Sequence, residues 1–430
     1  MNYYSLNKKA PNTTFRHAVI NGIAPDRGLY FPESITPLPA YFFEHIDQLS
    51  NTEIAFTAIK QFVGDDIPEK DLKAIIEDTL QFDFPLVEVE DNVYSLELFH
   101  GPTMAFKDVG ARFMARCLQY FNKNNDEKVT VLVATSGDTG GAVASGFLGV
   151  KGVDVVILYP KGKVSDIQER QLTTLGQNIT ALEVDGVFDD CQDMVKSAFL
   201  DTDITNSRKL TSANSINVAR WMPQLFYFLF AYKRLKKHGQ KIAFSVPSGN
   251  FGNICAGILA HKLGMPADQF IASTNVNDVV PKFLETGNYE PVASKQTISN
   301  AMDVGNPSNF IRIQELYGND TNALKEVFSS SSYTDDTTKD AMKSIYNKSG
   351  YTADPHGAVG YLGLKNYLKD HPETVGAFLE TAHPVKFLDV VKETLDIDIA
   401  IPEQIQSVLN KKKEKISISD YSGLKRFLLS

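Results

Sequence analysis

VTVLVAT-SGDTGG-AVASGFLGV, residues 129–150, passes from an apolar β-branched run through a glycine-rich turn into a stretch of small residues. A strand half-exposed to water alternates apolar and polar side chains; a continuous Val/Leu run is covered on both faces. Small residues after the turn suit a helix packed closely on that strand. The rhythm continues outward. VDVVILYP (153–160) and NITALEV (178–184) read as strands, SDIQERQLTTLG (165–176) and FDDCQDMVKSAFL (188–200) as helices. It resumes with KIAFSVP (241–247), the turn SGNFGN (248–253), the helix ICAGILAHKLG (254–264) and the strand FIASTNV (270–276). VGAFLET (375–381) and HPVKFLDVVKETL (383–395) close it as strand and helix. Buried strands alternating with helices predict an α/β fold with parallel sheets.

Residues before Leu86 read differently. TEIAFTAIKQFV and EKDLKAIIEDTL carry helical periodicity behind a Pro-containing start. The chain therefore divides into a mainly helical N-terminal domain over 1–88 and two parallel-sheet α/β regions over 89–240 and 241–430. A length of 430 residues exceeds what one ordinary core accommodates.

Hydrophobic residues at 43% and charged residues at 22% place the chain among water-soluble globular proteins. Its net charge of −9 repels phosphate backbones and anionic lipid, so neither nucleic acid nor a membrane is expected as partner. An anionic small substrate would need a local cationic pocket. Cys117, Cys191 and Cys255 are widely spaced, which argues for a reducing, cytoplasmic setting and against a zinc site. The N-terminus lacks the apolar core of a signal peptide. The most apolar run, Leu225 to Tyr232, falls short of the roughly 20 residues a bilayer requires.

Ligands of open α/β sheets bind where strands turn into helices. Two glycine-rich turns occupy such places, Ser136 to Gly141 and Ser248 to Asn253, and each offers backbone N–H groups at a helix start. Either one alone could be a close-packed turn and no more. GPTMAFKD (101–108) adds a lysine, Lys107, directly after Met104, Ala105 and Phe106. A lysine at a helix start is ordinarily solvated. Desolvated near the positive helix end, it would have a lowered pKa and act as an amine nucleophile. In NSINVAR (214–220), Asn214, Ser215 or Asn217 can cap the following helix. Asn217 and Arg220, three apart, also share a face that could hold an oxyanion with Ser215. Thr381 and His383, in TAHP at a strand end, read by themselves as turn residues.

Together these segments resemble the fold-type II pyridoxal-phosphate (PLP) enzymes, and within them the threonine synthases. The resemblance runs in order through DRGLYFP, LELFHGPTMAFKD, ATSGDTGGAVA, SANSINVAR, VPSGNFGN, NVNDVVP and TAHPVKF. It implies that Lys107 carries PLP. It implies that Gly249, Asn250, Phe251, Gly252 and Asn253 hold the cofactor phosphate and that Thr381 meets the pyridine nitrogen. The SGDTG turn would border cofactor and substrate carboxylate through Ser136, Asp138 and Thr139; many relatives have Asn where this chain has Asp138. Ser215, Asn217 and Arg220 would receive the substrate phosphate. The implied reaction converts O-phospho-L-homoserine and water to L-threonine and phosphate, in a monomer or homodimer. The short stretch after Pro384 leaves no room for an added regulatory domain. A threonine/serine dehydratase or phosphohomoserine lyase is the nearest alternative, and a non-catalytic nucleotide-binding module a more distant one.

Overall fold

The computed structural model describes residues 1–123 and 128–430. Two sheets organise the chain. The first has five parallel strands in the order Ile416–Ile418, Ile179–Val184, Val153–Pro160, Val129–Ala134, Lys209–Ser212. The second has six, in the order Phe328–Ser332, Gln269–Thr274, Lys241–Pro247, Thr374–Glu380, Val93–Glu97, Leu86–Glu90. All of these pair in parallel except the last two, which form an antiparallel hairpin. The predicted α/β class with parallel sheets is what the chain adopts. The interior strands Val129–Ala134 and Gln269–Thr274 are buried along their whole length, as strands covered on both faces are.

Sheet membership crosses residue 240 in both directions. The hairpin Leu86–Glu97 belongs with the strands that follow 240, and Ile416–Ile418 returns to the sheet formed before it. Lys415 explains the return: its ammonium pairs with Glu169 at 2.8 Å and Glu183 at 2.5 Å, so the edge strand is pinned by charge.

The first 85 residues are mainly helical, with helices at Asn51–Val63 and Glu69–Thr79. Ser50 and Glu53 form a reciprocal capping box that starts the former. The sequence reading missed a small antiparallel sheet of Asn2–Ser5, Thr13–Thr14 and Tyr30–Pro32. Its strands are too short to show a period. Tyr3 locks it in place, buried and donating its hydroxyl to Phe62 O at 2.7 Å.

The helix expected after NSINVAR is broken. Val218–Trp221 is one helical turn, Met222–Gln224 tightens into a 3₁₀ turn, and Leu225–Leu235 follows. Pro223, without an N–H to give, accounts for the break. Among the described residues, no helix is long and apolar enough to cross a membrane.

Candidate active site

Lys107 opens the helix Lys107–Asn122. Just before it, Thr103 donates its backbone N–H and hydroxyl to the buried carboxylate of Asp108, at 2.9 and 2.6 Å. The strip 104–106 is stitched to 381–383. Ala105 and Ala382 form an antiparallel bridge, Phe106 N donates to Thr381 O at 2.9 Å, and His383 N donates to Met104 O at 3.1 Å. This stitching brings Lys107 and Thr381 into one cleft. The Lys107 side chain reaches the cleft but is surrounded by protein. Burial lowers its pKa to about 8; Asp138 opposes the shift, while Lys386 and Arg220 reinforce it. Lys107 is half-buried, unlike the solvated lysine a helix start ordinarily carries.

The turn Ser248 to Asn253 follows the central strand Lys241–Pro247, next to the strand Thr374–Glu380 that Thr381 directly follows. Phe251 takes a left-handed conformation (φ 60°) that turns the chain into the helix Gly252–Lys262. Asn253 secures the turn by donating its amide to Pro247 O at 2.9 Å. Gly249 has no alternative: a Cβ there would lie 2.7 Å from Ala301 O and 2.8 Å from Met302 Cα. Segment 300–304 thus presses directly on the turn. The result is a backbone cradle at a helix N-terminus, suited to a phosphate.

Arg220 is buried, 3% exposed, and faces the same cleft. Its guanidinium donates to Ala213 O, and among the described residues no carboxylate pairs with it and its Nε has no partner. Burial lowers its pKa to about 10, which leaves it cationic at neutral pH. Ser215 and Asn214 line the cleft beside it. The buried Arg312 fixes their position by donating to Ser215 O at 3.2 Å and to Tyr30 O at 3.0 Å. Asn217 requires correction. Its amide donates to Val19 O (2.9 Å) and Ser212 O (3.1 Å), and its oxygen caps Ala219 N (3.0 Å). It is fully buried and outside the cleft lining, so it is a cap and not an anion ligand.

Ser136 and Thr139 line the opposite wall. Asp138 between them turns away. It pairs with the buried Lys386 at 2.7 Å and accepts from Gln168 at 3.0 Å. Burial raises its pKa, but the Lys386 and Lys107 charges with these hydrogen bonds hold it well below the usual carboxylate range. Lys386, Gln224 and His356 escaped the sequence reading. Lys386 pairs with Asp138 and His356 accepts from Ala301, both far away in the chain, which no local spacing announces; Gln224 donates to Arg220 O one turn back, an ordinary helical contact that signals no ligand. Gln224 Oε1 and Asn300 Oδ1, like Arg220 Nε, are buried polar atoms without partners among the described residues, on residues that line this cleft. Unpaired buried polar groups are costly, and their convergence marks a ligand site.

The cleft therefore combines a low-pKa amine, a backbone phosphate cradle, a separate buried cation and a neutral hydroxyl at Thr381. This set fits PLP, whose aldehyde, phosphate and ring nitrogen need the first, second and last of these. Comparison with known proteins agrees. A family model described as pyridoxal-phosphate dependent enzyme matches residues 83–379; models of the threonine synthase N terminus and C-terminal region match 2–80 and 357–428. The chain is 42% identical to the threonine synthase of Buchnera aphidicola subsp. Baizongia pistaciae across the whole of both proteins. It superposes on the crystal structure of Escherichia coli threonine synthase with TM-score 0.94 and 40% identity, covering 100% of this chain and 99% of that one. For PLP-bound threonine synthase from Brucella melitensis the TM-score is 0.92 at 34% identity, with 100% and 99% covered. Its sheets, its cleft and these matches together place the chain in the threonine synthase family of PLP-dependent enzymes.

Proposed function

We propose that the chain forms L-threonine and phosphate from O-phospho-L-homoserine and water, with PLP carried on Lys107. The observation that carries this reading is a buried Arg220 facing the same cleft as a backbone phosphate cradle and Lys107. The Gly249–Asn253 cradle, against which Ser215 packs at Gly252, serves the cofactor phosphate, and Arg220 remains for a second one. An enzyme whose substrate lacks phosphate has no use for the second.

Bound PLP supplies an electron sink that makes protons on neighbouring carbons removable. The chain supplies the rest. Lys107, neutral once its proton is lost near pH 8, takes the Cα proton and then a Cβ proton. Arg220 stabilises the phosphate as its bond to Cγ breaks. Cγ then takes a proton and becomes the methyl group of threonine, water adds at Cβ, and a proton returned to Cα restores the amino acid. Ser136 and Thr139 hold the substrate carboxylate. Thr381, a hydroxyl and not a carboxylate, meets the ring nitrogen without holding it protonated, which favours elimination and addition over amino transfer. Asp138 acts from behind the wall, anchoring Lys386.

Borohydride reduction of the PLP-loaded protein followed by peptide mapping tests the site. The pyridoxyl group should lie on Lys107. A label on another lysine would sink the assignment, and so would Lys107→Ala retaining turnover.

A further inference from the structure

His356 has no role in the account so far, yet it is 2% exposed and lines the cleft. It stands at the start of the helix Pro355–Asp370, whose N-cap is Asp354. Its Nδ1 lies 2.8 Å from Asp354 Oδ1, and Ala301 N donates to its Nε2 at 3.2 Å. These two bonds determine the tautomer. A backbone N–H can only donate, so Nε2 carries no proton; Nδ1 then bears the hydrogen and gives it to Asp354. Asp354 is held in turn, its N–H donating to Glu380 Oε1 at 2.5 Å. Glu380 directly precedes Thr381. Burial beside Asp354 pushes the Glu380 carboxyl well above the usual range.

The other end of the network is segment 300–304. Its Ala301 carbonyl and Met302 Cα lie where any side chain at Gly249 would have to go. Phe387 flanks the His356 ring at 4.9 Å, which leaves the imidazole little freedom to swing away. His356 is thus the one side-chain acceptor recorded for Ala301 N among the described residues, and it sits between the Thr381 side of the cleft and the 249–253 cradle.

We propose that His356 is a positioning residue: accepting from Ala301 N, it clamps segment 300–304 onto Gly249 and thereby holds the cradle in its phosphate-binding shape. The inference rests on the reading that Gly249 to Asn253 hold the cofactor phosphate. It assigns His356 no contact with the reacting atoms.

Two variants separate the two ring nitrogens. In His356→Gln the side-chain oxygen can reach the Nε2 position and still accept from Ala301. In His356→Asn the amide falls at the Nδ1 position, so the bond to Asp354 is kept and the bond to Ala301 is lost. PLP and pyridoxal, which lacks the phosphate, are each titrated into the cofactor-free full-length protein by absorbance. The expected result is about tenfold weaker PLP binding for His356→Asn, the size of one lost buried hydrogen bond. His356→Gln should stay near wild type, and both variants should bind pyridoxal as the wild type does. Wild-type PLP affinity in His356→Asn would overturn the proposal. Equal weakening of PLP and pyridoxal in both variants would overturn it too, because that is what general loss of structure does. Wild-type protein that binds PLP no better than pyridoxal would instead overturn the cradle reading beneath it.

Discussion

At the scale of single residues, the site depends on where charge is left without its usual partner. Lys107 is desolvated enough for its pKa to fall from 10.5 to about 8. Burial favours the neutral amine, so the reactive form accumulates as pH rises through 8 and is lost below it. The rate at which cofactor-free protein captures PLP, followed by stopped-flow absorbance, should therefore climb with an apparent pKa near 8. A climb centred near 10.5 would mean that Lys107 is solvated. Arg220 and Asn217, three residues apart, should separate cleanly. Arg220→Ala should lower kcat/KM for phosphohomoserine by well over tenfold, since a charge-assisted hydrogen bond is worth about 1.5–3 kcal/mol. Activity toward serine, which carries no phosphate, should barely change. Asn217→Ala should instead cost about 1 kcal/mol of stability in urea, the usual loss for a cap, with KM for phosphohomoserine little altered. Sequence spacing put both residues on one face. The structure separates them because Asn217 spends its amide on Val19 and Ser212.

At the scale of elements, legibility followed burial. VTVLVAT and KIAFSVP are read at once because strands covered on both faces must be continuously apolar. FDDCQDMVKSAFL is read because its helix, Phe188–Leu200, buries one stripe. Phe328–Ser332 was invisible: FSSSS is an edge strand with only Phe328 buried, and its place is set by parallel pairing with Gln269–Thr274. The break at Pro223 was visible as a residue but not as a break, since proline is also at home in a first helical turn. The cradle was legible as a glycine-rich turn; its lid, segment 300–304, was not, because nothing in ISNAMDVG signals contact with residue 249. Gly249→Ala tests that contact. The added methyl meets Ala301 O at 2.7 Å, and overpacking of this kind costs about 1–3 kcal/mol. Cofactor affinity should fall by tenfold or more, measured by equilibrium titration. An unchanged affinity would show that the segment yields freely.

At the scale of the whole molecule, the cleft is lined by residues that follow strands of both sheets, and the sheets exchange pieces of chain. The buried pair Asp138–Lys386 joins the helix after Val129–Ala134 to the turn after Thr374–Glu380. Asp138→Asn would leave Lys386 buried without its counter-ion, a change that typically costs about 3–5 kcal/mol. Urea unfolding should show a loss of that order; a loss below about 1 kcal/mol would mean that the ammonium finds water. Neither the two-sheet exchange nor this pair could be read from sequence, because both join segments more than two hundred residues apart. The central claim is chemical: the γ-phosphate leaves by cleavage of its bond to carbon, and a solvent oxygen enters at Cβ. Incubating the PLP-loaded protein with phosphohomoserine in ¹⁸O-water tests it most directly. The account predicts threonine with one ¹⁸O in its hydroxyl and unlabelled phosphate in equal amount. Labelled phosphate with homoserine, or 2-oxobutyrate with ammonia, would contradict it.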